Sequence, residues 1–295
     1  MPAVLLATCA TLPSGDEDGA VLVDALAERG VDSRWAVWTD PEVDWRSGLV
    51  VLRSTWDYTA DLDAFLEWAT GLPQVANGAD VVRWSTDKVY LRDLQAAAIP
   101  IVPTTFVEPG DAVALFGGAD ASAQREIVVK PSIGAGSRGA GRFTPDRADE
   151  AREHLEKLQA AGRTVLVQPY LADVDTAGET ALLYFDGRFS HAIRKGPMLP
   201  PGMAHPMSAR ALYVEERIEP RTPEPAELAV GAAAIQVVRE RFGADQLYAR
   251  VDLLPSPSGP VVVELELVEP SLFLQDGIGD EDPAATFAAA IAARA

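Results

Sequence analysis

Cysteine is almost absent from this chain: Cys9 is the only one among 295 residues. A single thiol excludes an internal disulfide framework and any zinc site built on several cysteines. Cys9 follows an apolar, strand-like run, so it reads as a packed or strand-end thiol rather than a nucleophile. Basic residues are also scarce, 25 Lys and Arg against 44 Asp and Glu, for a net charge of −19. A phosphate backbone needs a basic face, so no nucleic-acid partner is expected, although a local cluster of cations still suffices for one nucleotide. No apolar run reaches the length of a membrane span and no basic-then-apolar leader is present. The expectation is a soluble cytoplasmic protein with no membrane partner.

What the chain does have is apolar content, 48% of its residues, enough for roughly one to three domains. Its most informative stretch is YARVDLLPSPSGPVVVELELVEPS, from Tyr248 to Ser271. Two short apolar runs flank a Pro-, Ser- and Gly-rich turn, the pattern of a hairpin. Glu264 and Glu266 are two residues apart on the second run, so they share one face of the strand, and a hairpin brings Asp252 alongside them. Carboxylates so placed repel unless protons or cations intervene. Oxygen-only ligands select hard cations such as Mg²⁺. The alternative is an edge hairpin with its acids in solvent.

Residues 1 to about 85 alternate strand-like and helix-like segments: strands at 3–8, 33–38 and 49–53, helices at 19–29 and 61–70, the latter capped by Thr59. Such alternation implies a parallel sheet with ligands beyond the carboxyl ends of its strands. That edge carries Arg53, Ser54, Thr55, Trp56, Asp57 and Tyr58, a dense run of recognition chemistry. It reads either as a substrate site or as a structural loop in which Trp56 packs and Arg53 pairs with Asp57.

Ser85 or Thr86 is placed to cap a helix over DKVYLRDLQAAA, with Lys88 in its first turn. A lysine there opposes the helix dipole and is either reaching for an anion or simply solvated. Residues 112–124 carry a weak helical pattern. A strand at 126–130 ends in Lys130 and runs into PSIGAGSRGAGRF, whose Gly134, Gly136, Gly139 and Gly141 let backbone N–H groups approach phosphates. The loop matches neither the Walker pattern nor the dinucleotide fingerprint. A charged helix at 146–161, a strand at 164–168 and a hairpin across Asp186-Gly187 follow. Residues 196–223 lack periodicity and contain His205 and Arg210; without a metal partner nearby, His205 reads as a loop residue. A long helix at 224–242 precedes the carboxylate hairpin, and a last one begins near Pro283.

In this order the segments Asp87-Lys88, VVKPSIGAGSRG, VLVQPYL, ARVD and VVELELVEP resemble those of ATP-grasp ligases over essentially the whole chain. Arg250, Asp252, Glu264 and Glu266 stand where D-alanine–D-alanine ligases and glutathione synthetases have R-x-D and E-x-N. Glu266 departs from the usual Asn, and Gln168 stands where Glu is common. The resemblance implies an α/β fold of three lobes: a Rossmann-like domain at 1–98, a lid at 99–170 and a C-terminal lobe at 171–295. It implies ATP and two Mg²⁺ ions, or Mn²⁺ in their place, with Asp252, Glu264 and Glu266 as metal ligands. Lys88 and Lys130 would contact phosphates, with Ser132, Gly134 and Gly136 in the loop closing over them. Gln168, Tyr170 and Leu171 would frame adenine and Asp175 the ribose, while Arg250 would stabilise the transferred phosphoryl group.

The RSTWDY segment looks most like the subgroup that closes O-ureido-serine to the cycloserine ring. This implies a small amino-acid-like substrate, activated by ATP and attacked by its own nitrogen. Ligation of two separate molecules and a small-molecule kinase are the alternatives, and a homodimer is compatible with the sequence.

Overall fold

The computed structural model describes residues 3–116, 126–199, 217–278 and 282–295. Strands β1 (Ala3–Thr8), β2 (Asp32–Val37) and β3 (Leu49–Ser54) form a parallel sheet in the order β2-β1-β3. Alternate residues of β1 and β3 feed two separate cores. Val4, Leu6 and Val51 meet Leu22 and Leu26 of the helix Gly19–Glu28. Leu5, Ala7, Val50 and Leu52 meet Phe65 and Ala69 of the helix Leu62–Gly71. A sheet covered on both faces needs continuous apolar strands, which LLAT and LVVL supply.

The second sheet is antiparallel, with β4 (Thr105–Val107), β5 (Ile127–Pro131), β6 (Gly141–Phe143) and β7 (Val165–Pro169) in the order β4-β7-β5-β6. Leu155 and Leu158 of the helix Ala148–Ala160 back it. The third holds β8 (Glu179–Phe185), β9 (Arg188–Lys195), β10 (Ile218–Pro220), β11 (Tyr248–Leu254) and β12 (Val261–Glu266), in the order β10-β9-β8-β11-β12. On one face, Leu182, Tyr184, Ala249 and Val251 pack on Ala234, Ile235 and Val238 of the helix Pro225–Phe242. On the other, Leu183, Phe185 and Tyr248 pack on Phe287 and Ile291 of the helix Pro283–Ala292, in the same core as Leu22 and Leu26 of the first unit. Period-two alternation therefore puts Tyr248, Arg250 and Asp252 on one face, the first anchoring it and the other two turned toward the cleft.

Several local expectations change. Thr59 does not cap the second helix; it lies in a 3₁₀ turn, and the Asp61 carboxylate accepts from Ala64 N instead. Neither Ser85 nor Thr86 caps the Lys88 segment. Residues 79–85 are themselves a helix, and Asp87 caps a 3₁₀ turn at Lys88–Tyr90 by accepting from Val89 N. Residues 111–116 are not helical. The remainder of the expected helix, along with His205 and Arg210, lies outside the described residues. The Asp186-Gly187 turn forms with both residues at positive φ, 53° and 69°, the geometry that tight hairpins favour.

Asn77 ties the first sheet's unit to the third sheet. Its amide donates to Tyr248 O and Leu267 O, both at 2.8 Å, and its oxygen accepts from Leu247 N at 2.7 Å. Asn77→Ala strands three buried backbone groups, and each costs free energy when left unpaired. The expected loss is about 3 kcal/mol in urea denaturation; a loss under about 0.5 kcal/mol, the size of an ordinary surface substitution, would contradict this role.

Candidate active site

The antiparallel register of β11 and β12 sets Arg250 opposite Glu266 and Asp252 opposite Glu264. All four project from one face into two adjoining cavities. One, of about 170 Å³, lies between the second and third sheets and is lined by Val102, Val128, Lys130, Gln168, Tyr170, Leu171, Lys195, Asp252 and Leu254. The other, of about 240 Å³, opens toward the first sheet, where Asp16, Trp56, Tyr58 and Glu269 line it. Lys88, Gly134, Gly136, Arg138, Arg250, Glu264 and Glu266 border both.

The expected acids are present, but they do not assemble into a cation site. Among the described residues no three Asp, Glu, His or Cys side chains converge as one. Cations interleave them instead. Lys88 Nζ pairs with Glu264 at 2.8 Å. Arg250 bonds both Asp252, at 2.9 Å, and Glu266, at 2.5 Å. Lys195 bridges Glu179 and Asp252 at 2.6 and 2.7 Å.

The electrostatics follow from depth and partners. Burial pushes the Asp252 carboxyl up, but Arg250 and Lys195 outweigh it and hold the group below its usual range. Glu266 goes the other way, because desolvation dominates and Glu264 and Asp252 add to it while Arg250 is shared with Asp252. Burial and Asp252 likewise raise Glu179 against the opposing pull of Lys195. For Lys88, burial favours the neutral amine, yet Glu264, Glu266 and Glu269 keep it above its ordinary value. Lys130 ends lower, because burial, with Lys88 adding to it, exceeds the attraction of Glu264.

The glycine loop lies closed over this junction. Lys88 donates to Gly134 O at 2.6 Å, and Arg138 reaches across to Trp56 O. Gly136 and Gly139 adopt φ of 59° and 73°, conformations that glycine takes without strain. Gln168 is buried and donates to Thr104 Oγ1 at 2.8 Å. The Arg142 guanidinium stacks on the Tyr170 ring at 3.4 Å.

Some expected residues fall outside the cavities. The Ser132 hydroxyl is buried and has no partner among the described residues, while its backbone oxygen accepts from Lys88 N at 2.8 Å. Asp175 lines neither cavity; it accepts from the Tyr170 hydroxyl at the rim. Arg53, Ser54, Thr55 and Asp57 also line neither. The Arg53 guanidinium is fully buried, donates to Pro270 O at 3.0 Å and lies 3.6 and 3.7 Å from Asp16 and Asp18. Ser54 bonds Thr8, Thr55 is buried, and Asp57 accepts from Trp38 Nε1 at 2.7 Å rather than pairing with Arg53. Trp56 and Tyr58 do reach the cavity. Sequence reasoning missed Glu179, Lys195, Asp16, Arg138 and Glu269 as site residues. Two of them stand near segments the sequence does single out, Lys195 at the end of a predicted hairpin strand and Glu269 three residues beyond the acid pair, but neither position tells from the sequence where its side chain aims.

A lid sheet and a C-terminal sheet enclosing a cleft, with lysines from both sides and paired acids on its floor, are the fold of an ATP-grasp ligase. The comparisons agree and go further. Residues 4–79 match the family described as D-cycloserine synthetase DcsG, N-terminal domain. The cycloserine biosynthesis protein DcsG of Streptomyces lavendulae is 39% identical over 291 residues, covering 95% of this chain and 94% of that protein. The crystal structure of D-cycloserine synthetase DcsG superposes with a TM-score of 0.87 at 36% identity over 99% of both chains. A D-alanine–D-alanine ligase from Bacillus anthracis, complexed with ATP, shares the fold at TM-score 0.63 and 14% identity, over 100% of this chain and 97% of that one. The chain belongs to the D-cycloserine synthetase family of ATP-grasp enzymes and is an ATP-dependent carbon–nitrogen ligase.

Lys195 is 3% exposed and Asp252 1%, so the pair sits where removing one partner is costly. Lys195→Met is expected to destabilise the nucleotide-free protein by about 3 kcal/mol near pH 8. Glu179 and Asp252, deprived of a cation, should then bind protons more readily, so the deficit shrinks as pH falls toward 5.5. Urea unfolding at both pH values checks this; a pH-independent deficit would contradict it.

Proposed function

We propose that the chain activates the carboxylate of a small amino-acid-like molecule with ATP and joins it to that molecule's own nitrogen, closing the cycloserine-type ring. The observation that carries this reading is the wall shared by the two cavities. Arg250, Lys88, Glu264 and Glu266 face both spaces at once, so a phosphoryl donor in one and a carboxylate in the other meet at the same charges.

ATP is assigned to the smaller cavity, with Gln168, Tyr170 and Leu171 around the base and Asp175 at the ribose rim. Its phosphates face Lys88 and Lys130, to which Lys195 is added. Lys130 makes no ion pair through its ammonium among the described residues, which leaves it available to an anion. Asp252, Glu264 and Glu266 form an oxygen-only donor set of the kind Mg²⁺ takes alongside phosphate oxygens. The lysines now holding those acids are the groups that phosphates would attract, so the residues fit the metal once nucleotide is present. Mg²⁺, two ions by family resemblance, would neutralise charge on the transferred phosphoryl group.

The larger cavity takes the substrate. Its cationic side, Lys88 and Arg250, suits the carboxylate. Its far side carries Asp16, whose buried oxygens have no hydrogen-bond partner among the described residues, beside Asp18 and Asp276. Burial raises the Asp16 pKa against the pull of Arg53, and an ammonium group would relieve that cost. Phosphoryl transfer gives an acyl phosphate and ADP; attack by the substrate's nitrogen forms the C–N bond and expels phosphate. Enclosure of both reacting groups in one small space raises their effective concentration. Divided at 98 and 170, as we propose, the chain places one sheet in each of three lobes.

O-ureido-serine with Mg²⁺ and ATP is expected to give ring product and phosphate with no second amine, detected by mass and phosphate release. Product that appears only with an added amine would make the intermolecular ligase the better reading. Glu264→Gln should slow phosphate release by a hundredfold or more, since it removes both a metal ligand and the partner of Lys88.

A further inference from the structure

Residues 269–274, just after β12, are pinned along their backbone. Trp56 Nε1 donates to Glu269 O at 2.8 Å, Arg53 to Pro270 O at 3.0 Å and Arg250 to Ser271 O at 3.1 Å. The Asp18 carboxylate accepts from Leu272 N at 3.0 Å and Leu274 N at 2.7 Å. The RSTWDY segment therefore acts largely through this strap rather than on substrate. What the strap presents is the Glu269 side chain, in the wall of the substrate cavity, on a residue only 9% exposed.

No phosphate or metal role uses Glu269, and burying a carboxyl without a task is costly. Its neighbours come from every side. Tyr58, itself 3% exposed, hydrogen-bonds its carboxylate. Lys88 and Arg250 attract it and Glu264 repels it, with Arg138 and Tyr248 within electrostatic reach. The carboxyl thus stands beside the cations assigned to the activated carboxylate.

Building on the ligase reading, we propose that Glu269 is the general base of the second half-reaction. As the substrate's nitrogen attacks the acyl carbon, the C–N bond forms and the C–O bond to phosphate breaks. Phosphate leaves with the electron pair, and the nitrogen's proton passes to a Glu269 carboxylate oxygen. Tyr58, Trp56 and Arg53 are positioning residues for that carboxylate. Burial first, and then Glu264, set against Lys88 and Tyr58, push the Glu269 carboxyl up to about 7, the range in which a base is effective at neutral pH.

The test separates the two half-reactions. With O-ureido-serine, Mg²⁺ and ATP labelled with ¹⁸O in the βγ bridge, scrambling of label into non-bridging positions reports reversible carboxylate phosphorylation. Glu269→Gln is expected to keep scrambling while ring formation falls by roughly 10²- to 10⁴-fold, and to lose the acidic limb of kcat that the wild type shows near pH 7. Scrambling with undiminished ring closure overturns the assignment, as does a raised KM at unchanged kcat, which would mark Glu269 as a binding group only. Absence of scrambling in the wild type overturns the activation reading itself, and the base with it. Should Glu269→Gln fail to fold, Tyr58→Phe carries the test. Loss of a donor to the carboxylate should shift the acidic limb to higher pH, and an unmoved limb overturns the proposal.

Discussion

The structure depends on charge balance along one face of β11 and β12. Glu179, Asp252, Glu264 and Glu266 stand close together in a cleft where Asp252 is 1% exposed, and unopposed they would repel strongly in so poor a solvent. Lys88, Lys195 and Arg250 prevent this by lying between them, each contributed by a different segment: the turn after the first unit, the end of β9, and β11 itself. The first unit and the third sheet must therefore be correctly docked before the acids can be buried. Asn77 and the shared core around Phe287 supply that docking from the apolar and hydrogen-bonding side.

The same balance suits the proposed chemistry. Mg²⁺ and nucleotide phosphates bring charges of both signs, so lysines can pass to phosphates while carboxylates pass to metal and little net charge enters the cleft. The lid loop belongs to this arrangement, since Gly134 O holds Lys88 and Arg138 holds the backbone at Trp56. The glycine loop, Lys88 and the backbone at Trp56 are thus connected through a few named contacts rather than through the bulk of the fold.

Much of this was legible in the sequence because it rests on short-range periodicity. The alternation in VVVELELV places Glu264 and Glu266 on one face, the turn residues that follow Leu254 close the hairpin, and Asp186-Gly187 fixes the neighbouring one. What was not legible depends on tertiary aim. Arg53 ends a strand at the ligand-facing edge of a parallel sheet, yet the pairing shifts from Ala7–Leu52 to Thr8–Ser54 and leaves Arg53 as the extra residue of a bulge. A bulge re-aims a side chain, and this one turns the guanidinium inward toward Asp16 and Asp18. The partner of each acid was hidden for a similar reason: Lys195 reaches Asp252 across 57 positions of sequence, a distance no local pattern spans. Glu269 was passed over because it lies beyond the regular strand, where alternation no longer tells inside from outside.

In the free protein lysine and arginine neutralise the carboxylates, and on the proposed reading these turn to metal only when phosphates arrive. Mn²⁺ titration followed by electron paramagnetic resonance, with and without a non-hydrolysable ATP analogue, tests it most directly. The account requires that Mn²⁺ bind weakly to the protein alone and tightly in a ternary complex with nucleotide. Equally tight Mn²⁺ binding to the nucleotide-free protein would contradict it.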